Sequence, residues 1–184
     1  MIIINAQEVS GLPGDSLFTG PNGIKFKEKA HQRIYLEDEH ELVKIDLKDT
    51  NTIDSSFCRE GFVYLINELE QILKRPQILF INVSENAAQN LEVSFTYHKK
   101  NCLILDKNSK FKVIGKLAEA YVETIKVMIE LKEASVRDVA RKLEIEELTT
   151  VNNRLKTIYD MCIINRKEVS EESGGKEYLY YLRS

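Results

Sequence analysis

VKIDLKDTNTIDSSF, residues Val43–Phe57, contains a strand, a turn and a helix start in one short run. Val43, Ile45 and Leu47 alternate with Lys44, Asp46 and Lys48, the period of a β-strand. Asp49–Thr52 is a polar turn. Asp54, Ser55 and Ser56 are three helix N-cap residue types in a row. Behind them Phe62, Leu65, Leu69 and Ile72 recur at helical spacing. Two hydroxyls therefore lie at a helix N-terminus, where unpaired N–H groups and the helix dipole favour an anion. A phosphate on Ser55 or Ser56 suits that place.

Outward from this stretch, strands and helices alternate. Ile2–Ile4 predicts a first strand, and Gly11–Gly23, with four glycines and two prolines, a loop. That loop has neither the G-x-x-x-x-G-K-[ST] nor the G-x-G-x-x-G spacing, so it predicts a structural connection and not a phosphate cradle. Phe26, Ala30 and Ile34 predict a helix over Ile24–Ile34. Arg75-Pro76 closes the helix behind the serines. The nearly unbroken apolar runs Gln77–Val83 and Cys102–Leu105 read as strands covered on both faces, with a helix between them near Ala87–His98. The order implies an α/β domain with a mostly parallel sheet and flanking helices, over residues 1–108.

Asp106–Lys112, DKNSKFK, reads as a junction, and the pattern changes beyond it. Leu117–Leu131 is an amphipathic helix with Leu117, Tyr121, Ile125, Met128 and Leu131 on one stripe. Ser135 caps a helix over Val136–Leu143, and a third helix spans Thr149–Met161. Ile163–Val169 and Lys176–Leu182 form a hairpin with Gly174-Gly175 in its turn. Three helices and a hairpin predict a winged helix-turn-helix over 113–184.

The serine stretch resembles the core motif of the STAS domain (sulfate transporter and anti-sigma-factor antagonist). In the antagonists a strand and short turn lead to Asp-Ser-Ser, and a partner kinase phosphorylates the second serine, which corresponds to Ser56 here. The antagonists follow it with glycine, where this chain has Phe57. The STAS-like group of bacterial and archaeal proteins is more similar. Pro13-Gly14, Gly20-Pro21, Phe26, Ser55-Ser56-Phe57, Glu60 and Phe62 match its motifs in order, over roughly residues 8–105. The resemblance implies a signalling role, with a protein partner such as a histidine-kinase-like ATPase.

The segment 117–182 resembles bacterial winged-helix regulators in its SVRDVARKLEI, TTVNNRLKTIYDMCIINR and SGGKEYLYYL blocks. The resemblance implies double-stranded DNA as a partner. Thr149, Thr150, Asn152, Asn153 and Lys156 would then face the major groove, Arg154 would supply phosphate or base contacts, and Lys176 would join from the wing, flanked by Arg166 and Lys167. Charge opposes this. Residues 117–184 hold 11 Lys and Arg against 13 Asp and Glu, a balance of −2, whereas DNA-binding domains usually carry a basic surplus or one basic face.

The remaining features exclude more than they suggest. A net charge of −3 gives no global attraction to nucleic acid or anionic membrane. No run reaches the roughly 20 apolar residues of a spanning helix, and the opening MIIINAQ has no basic region of a signal peptide. Cys58, Cys102 and Cys162 read as free thiols of a cytoplasmic protein. His31, His40 and His98 are too scattered to ligate a metal. Cys58 near a helix start is a candidate low-pKa thiol, but no histidine partner is evident, and no catalytic constellation or cofactor is expected. The expectation is a non-enzymatic regulator that binds DNA; the alternative is a protein-interaction adaptor.

Overall fold

The computed structural model describes residues 1–35, 42–73, 76–170 and 176–182; His40, Arg75 and the wing turn with Gly174-Gly175 lie outside them. The chain divides into two compact units, Met1–Lys116 and Leu117–Ser184.

The first unit is α/β. Its elements are β1 (Ile2–Asn5), α1 (Ala6–Ser10), β2 (Ser16–Leu17), α2 (Gly20–Tyr35), β3 (Leu42–Asp46), β4 (Thr52–Ile53), α3 (Ser55–Phe57), a π-helical segment (Cys58–Val63), α4 (Tyr64–Ile72), β5 (Gln77–Val83), α5 (Glu85–Tyr97), β6 (Cys102–Asp106) and β7 (Phe111–Ile114). Five strands form one sheet in the order β1-β3-β5-β6-β7. The first four are parallel and β7 is antiparallel to β6. The sheet is therefore mostly parallel, as the alternation of elements predicted.

Register explains the core. Ile4, Ile45, Phe80 and Ile104 are cross-strand neighbours, so period-two alternation points all four to one face. They belong to one buried cluster with Phe26, Ala30, Phe62, Leu91 and Phe95 from the helices. Phe62 is its hub: its ring meets Phe26 at 5.2 Å, Phe57 at 5.5 Å and Phe80 at 5.1 Å, each near edge-to-face or tilted, an arrangement that adds about 0.5–1.5 kcal/mol per pair beyond area burial. Leu79 and Leu103, on the alternate face, are buried too, as expected of two nearly unbroken apolar runs.

Two local readings change. The glycine-rich stretch 11–23 is more than a loop: it holds β2, paired in parallel with β4, and the first turn of α2. Pro21 fits that turn because the first N–H groups of a helix have no partner to lose. Asp106–Lys112 is not a junction. It is the turn and start of the β6–β7 hairpin, in which the Asp106 carboxylate accepts from the Asn108 and Lys110 N–H groups, both at 2.8 Å. The division between units falls at Lys116, which is exposed.

The second unit runs α6 (Glu119–Leu131), β8 (Glu133–Ala134), α7 (Val136–Leu143), α8 (Leu148–Asp160), β9 (Asn165–Ser170) and β10 (Lys176–Tyr181). Three helices pack on one another, and β8, β10 and β9 form an antiparallel sheet in that order. Ile125, Met128, Val139, Val151, Leu155 and Ile158 are among the buried helical side chains of this unit. Ser135 and Asp138 close a reciprocal capping box at the start of α7. Leu143 ends it, and Glu144 turns the chain in the left-handed region at φ 56°.

The position of the division makes a first prediction. Brief trypsin treatment is expected to cut at Lys116 and release fragments 1–116 and 117–184 that separate on gel filtration and melt cooperatively, since each unit buries its own apolar side chains. Fragments that stay associated or lose their fold would show that the units are not independent.

Candidate functional site

Two places gather the residues singled out by sequence. The first is the turn into α3. Asp54, not a serine, is the N-cap: its Oδ1 accepts the Phe57 N–H at 2.6 Å. The same oxygen accepts the Ser56 hydroxyl at 2.8 Å, and Oδ2 accepts the Thr19 N–H at 2.6 Å. Burial pushes the Asp54 carboxyl upward, but the hydrogen bonds from Phe57, Thr19 and Ser56 outweigh it and hold the group below its ordinary value. The anion expected at this helix start is thus already there, and it belongs to the chain. Ser55 and Ser56 lie inside the first turn, Ser55 exposed and Ser56 half-buried.

Phosphorylation would act differently at the two positions. On Ser56 it would abolish the donation to Asp54 and set nearly two negative charges beside a carboxylate, a repulsive change that remodels the turn. On exposed Ser55 it would meet no such bond. Arg59, the nearest cation along the helix, is held by Glu60 at 2.7 Å.

The serines line a cleft of about 360 Å³ with Arg59 on one side and Val93, Ser94, Tyr97 and His98 of α5 on the other. Val93 and Tyr97 are 68% and 81% exposed. Sequence reading missed this wall because α5 is far away in the chain and its exposed residues follow no motif. Cys58 is fully buried beneath the turn, and burial pushes its thiol up to about 12; the low-pKa reading of that cysteine is therefore corrected. Among the described residues no group of His, Cys, Asp and Glu could hold a metal ion, and no helix is long and apolar enough to cross a membrane.

The second place is α8. Thr149, Asn152, Asn153 and Lys156 fall within roughly 100° of arc on the helix, opposite buried Val151, Leu155 and Ile158. All four are exposed. Thr150 lies to one side and donates its hydroxyl to Glu147 at 2.7 Å. Arg154 is half-buried, further round the helix. Two of the wing cations are committed within the unit. The Arg166 guanidinium lies between the rings of Tyr159 and Tyr178, at 4.3 and 4.2 Å, and Lys167 pairs with Glu133 at 2.7 Å. Lys176 opens β10, and its side chain lies outside the description. Glu144, Glu146 and Glu147 are exposed at the turn between α7 and α8.

No family model matches the chain, and no curated protein matches it. Among solved structures it is similar to a possible transcriptional regulator from Methanosarcina mazei Go1, at 20% identity and a TM-score of 0.34. The match covers 37% of this chain and 57% of that chain, so it spans little more than half of that protein. A likeness this slight says nothing about function.

Proposed function

We propose that the protein is a two-domain, cytoplasmic, non-enzymatic regulator, in which a STAS-like α/β domain receives a signal at the Ser55–Ser56 turn and a winged helix binds double-stranded DNA. The observation that carries the DNA reading is the exposed face of α8, where Thr149, Asn152, Asn153 and Lys156 stand together on the second helix of a helix-turn-helix. Asparagine is suited to the edge of adenine and lysine to phosphate. Thr150 and Arg154 flank this face and have a lesser share. Lys176 is kept as a phosphate contact from the wing.

Fluorescence anisotropy across a salt series tests this. Lys156→Ala is expected to weaken binding to all sequences alike and to flatten the salt slope by about one ion. Asn153→Ala should cost about 1–3 kcal/mol on the preferred site and relax selectivity at one base pair. Arg154→Ala should do less than either. With Arg166 and Lys167 engaged internally, few phosphate contacts remain, so the slope should be shallow.

A second reading is a protein-docking winged helix, favoured by the exposed Glu144, Glu146 and Glu147 beside α8 and by the −2 balance of residues 117–184. Absence of DNA binding at low salt, where attraction is strongest, would select it.

The signal is proposed to be phosphorylation of Ser56 by a partner kinase such as a histidine-kinase-like ATPase. Ser56→Asp is expected to abolish association with that kinase, while Ser56→Ala keeps the fold, because Asp54 and not Ser56 caps the helix. Mass spectrometry of the protein purified from its own cells should find the phosphate on Ser56. Finding it only elsewhere, or no effect of either substitution on partner binding, defeats this part of the reading.

A further inference from the structure

Away from both places, the edge of the sheet carries a cleft of about 570 Å³ between the β6–β7 turn and the start of α5. Val83, Ala88, Ile104 and Phe111 supply its apolar lining. Three lysines, Lys107, Lys110 and Lys112, line it as well. Their placement follows from register. Lys112 is the cross-strand partner of core-facing Ile104, and Lys110 pairs through its backbone with Asp106. Period two puts Lys110 and Lys112 on the face that α5 covers. Lys107 comes from the turn that joins the strands.

The charges there are unbalanced. All three lysines are exposed, and among the described residues none has an ion-pair partner. Two carboxylates line the same cleft. Asp106 accepts from the turn amides, and with Glu85 it sets two carboxylates against three ammonium groups, a formal balance of +1. Like charges gathered in one cleft repel one another. A bound polyanion would offset that cost. The volume lies within the roughly 300–1,000 Å³ of small-molecule clefts.

We propose that this cleft binds a small organic phosphate, its phosphoryl group among Lys107, Lys110 and Lys112 and its apolar body against half-buried Phe111, over a floor of buried Val83, Ala88 and Ile104. Lysine serves such a group as a point charge, without the planar match that arginine offers to a carboxylate. Gln89, on the next turn of α5, is placed to donate to a polar substituent of the body.

Phenyl phosphate is the probe, titrated into the full chain and followed by the backbone amide resonances. Saturable shifts are expected at residues 84–89 and 106–112. Benzoate, inorganic phosphate and phenol should each bind more weakly, because each lacks part of the match. The double variant Lys110→Gln, Lys112→Gln should weaken phenyl phosphate about tenfold, the loss expected from removing charge-assisted contacts. Lys126→Gln, on α6 in the other unit, should leave it unchanged. If the double variant melts early, Lys107→Gln in the exposed turn replaces it. The proposal is overturned if phenyl phosphate gives no saturable shifts, if the shifts map elsewhere, if charge removal leaves the affinity unchanged, or if benzoate or inorganic phosphate binds as tightly.

Discussion

Gly23→Ala is expected to destabilise the α/β unit by about 1–3 kcal/mol, although alanine is the better helix former by about 1 kcal/mol. The reason is the neighbour. A Cβ on Gly23 would lie 2.9 Å from the Gly61 nitrogen and 2.9 Å from the Phe57 carbonyl oxygen, and 3.1 Å from the Glu60 Cβ. Two of these are backbone atoms of the helix that carries the serines, so relief requires α2 and the π-helical segment to move apart. Phe26, Phe57 and Phe62, which interlock across that contact, would lose packing as it opens. Gly20→Ala is the control. Its Cβ would meet only the Glu60 Cγ at 3.4 Å and the Ser56 Cβ at 4.0 Å, and the Glu60 side chain can rotate away. Urea midpoints measured on both variants decide the matter. Equal stability of the two would show that the close approach of α2 does not hold the serine turn in place.

That contact also marks how far a sequence can be read. Val43–Phe57 revealed a strand and a helix start because alternation and capping residues are local signals. α7 and its Ser135 cap were legible for the same reason. The four core-facing strand residues were legible as strands, but their common face depended on register, which is a long-range property. β7 was missed because Phe111-Lys112-Val113-Ile114 is only a short alternating run after a charged turn. β2 and β4 were missed because two residues each show no period. The π-helical segment carries no signature that separates Cys58–Val63 from ordinary helix. Its Gly61 gains a reason only when Gly23 is found against it.

The serines show the same limit. Three cap residues in a row left the choice open; the Phe57 N–H donating to Asp54 settles it, and the Thr19 N–H, 35 residues upstream, adds a second bond that no local pattern shows. On α8 the helical period alone separates the exposed Asn152, Asn153 and Lys156 from buried Val151 and Leu155. It did not reveal that Thr150 would be taken by Glu147, or Arg166 by two tyrosines, since those depend on side chains meeting across elements.

Asp54→Ala is expected to cost about 2 kcal/mol and to undo the geometry of Ser56. Loss of an N-cap accounts for about 1 kcal/mol. A hydrogen bond to a charged acceptor is worth about 1.5–3 kcal/mol, and solvent screening at this half-buried position reduces the share of the Thr19 contact. Asp54→Asn separates cap from charge, because asparagine caps helices nearly as well as aspartate. The pH dependence follows from the same carboxylate. Its folded-state pKa is depressed, so the unfolded chain takes up the proton first as pH falls. The stabilisation is complete above the ordinary aspartate value of about 3.9 and is lost as pH drops through that value toward the lower folded one. Wild type should therefore lose stability below about pH 4 more steeply than Asp54→Asn, while the two run parallel near neutrality. Urea titrations at a series of pH values between these limits test it. Parallel curves down to the acid limb would mean that Asp54 carries no special charge stabilisation. The hold on Thr19 and Ser56 would then be an ordinary cap.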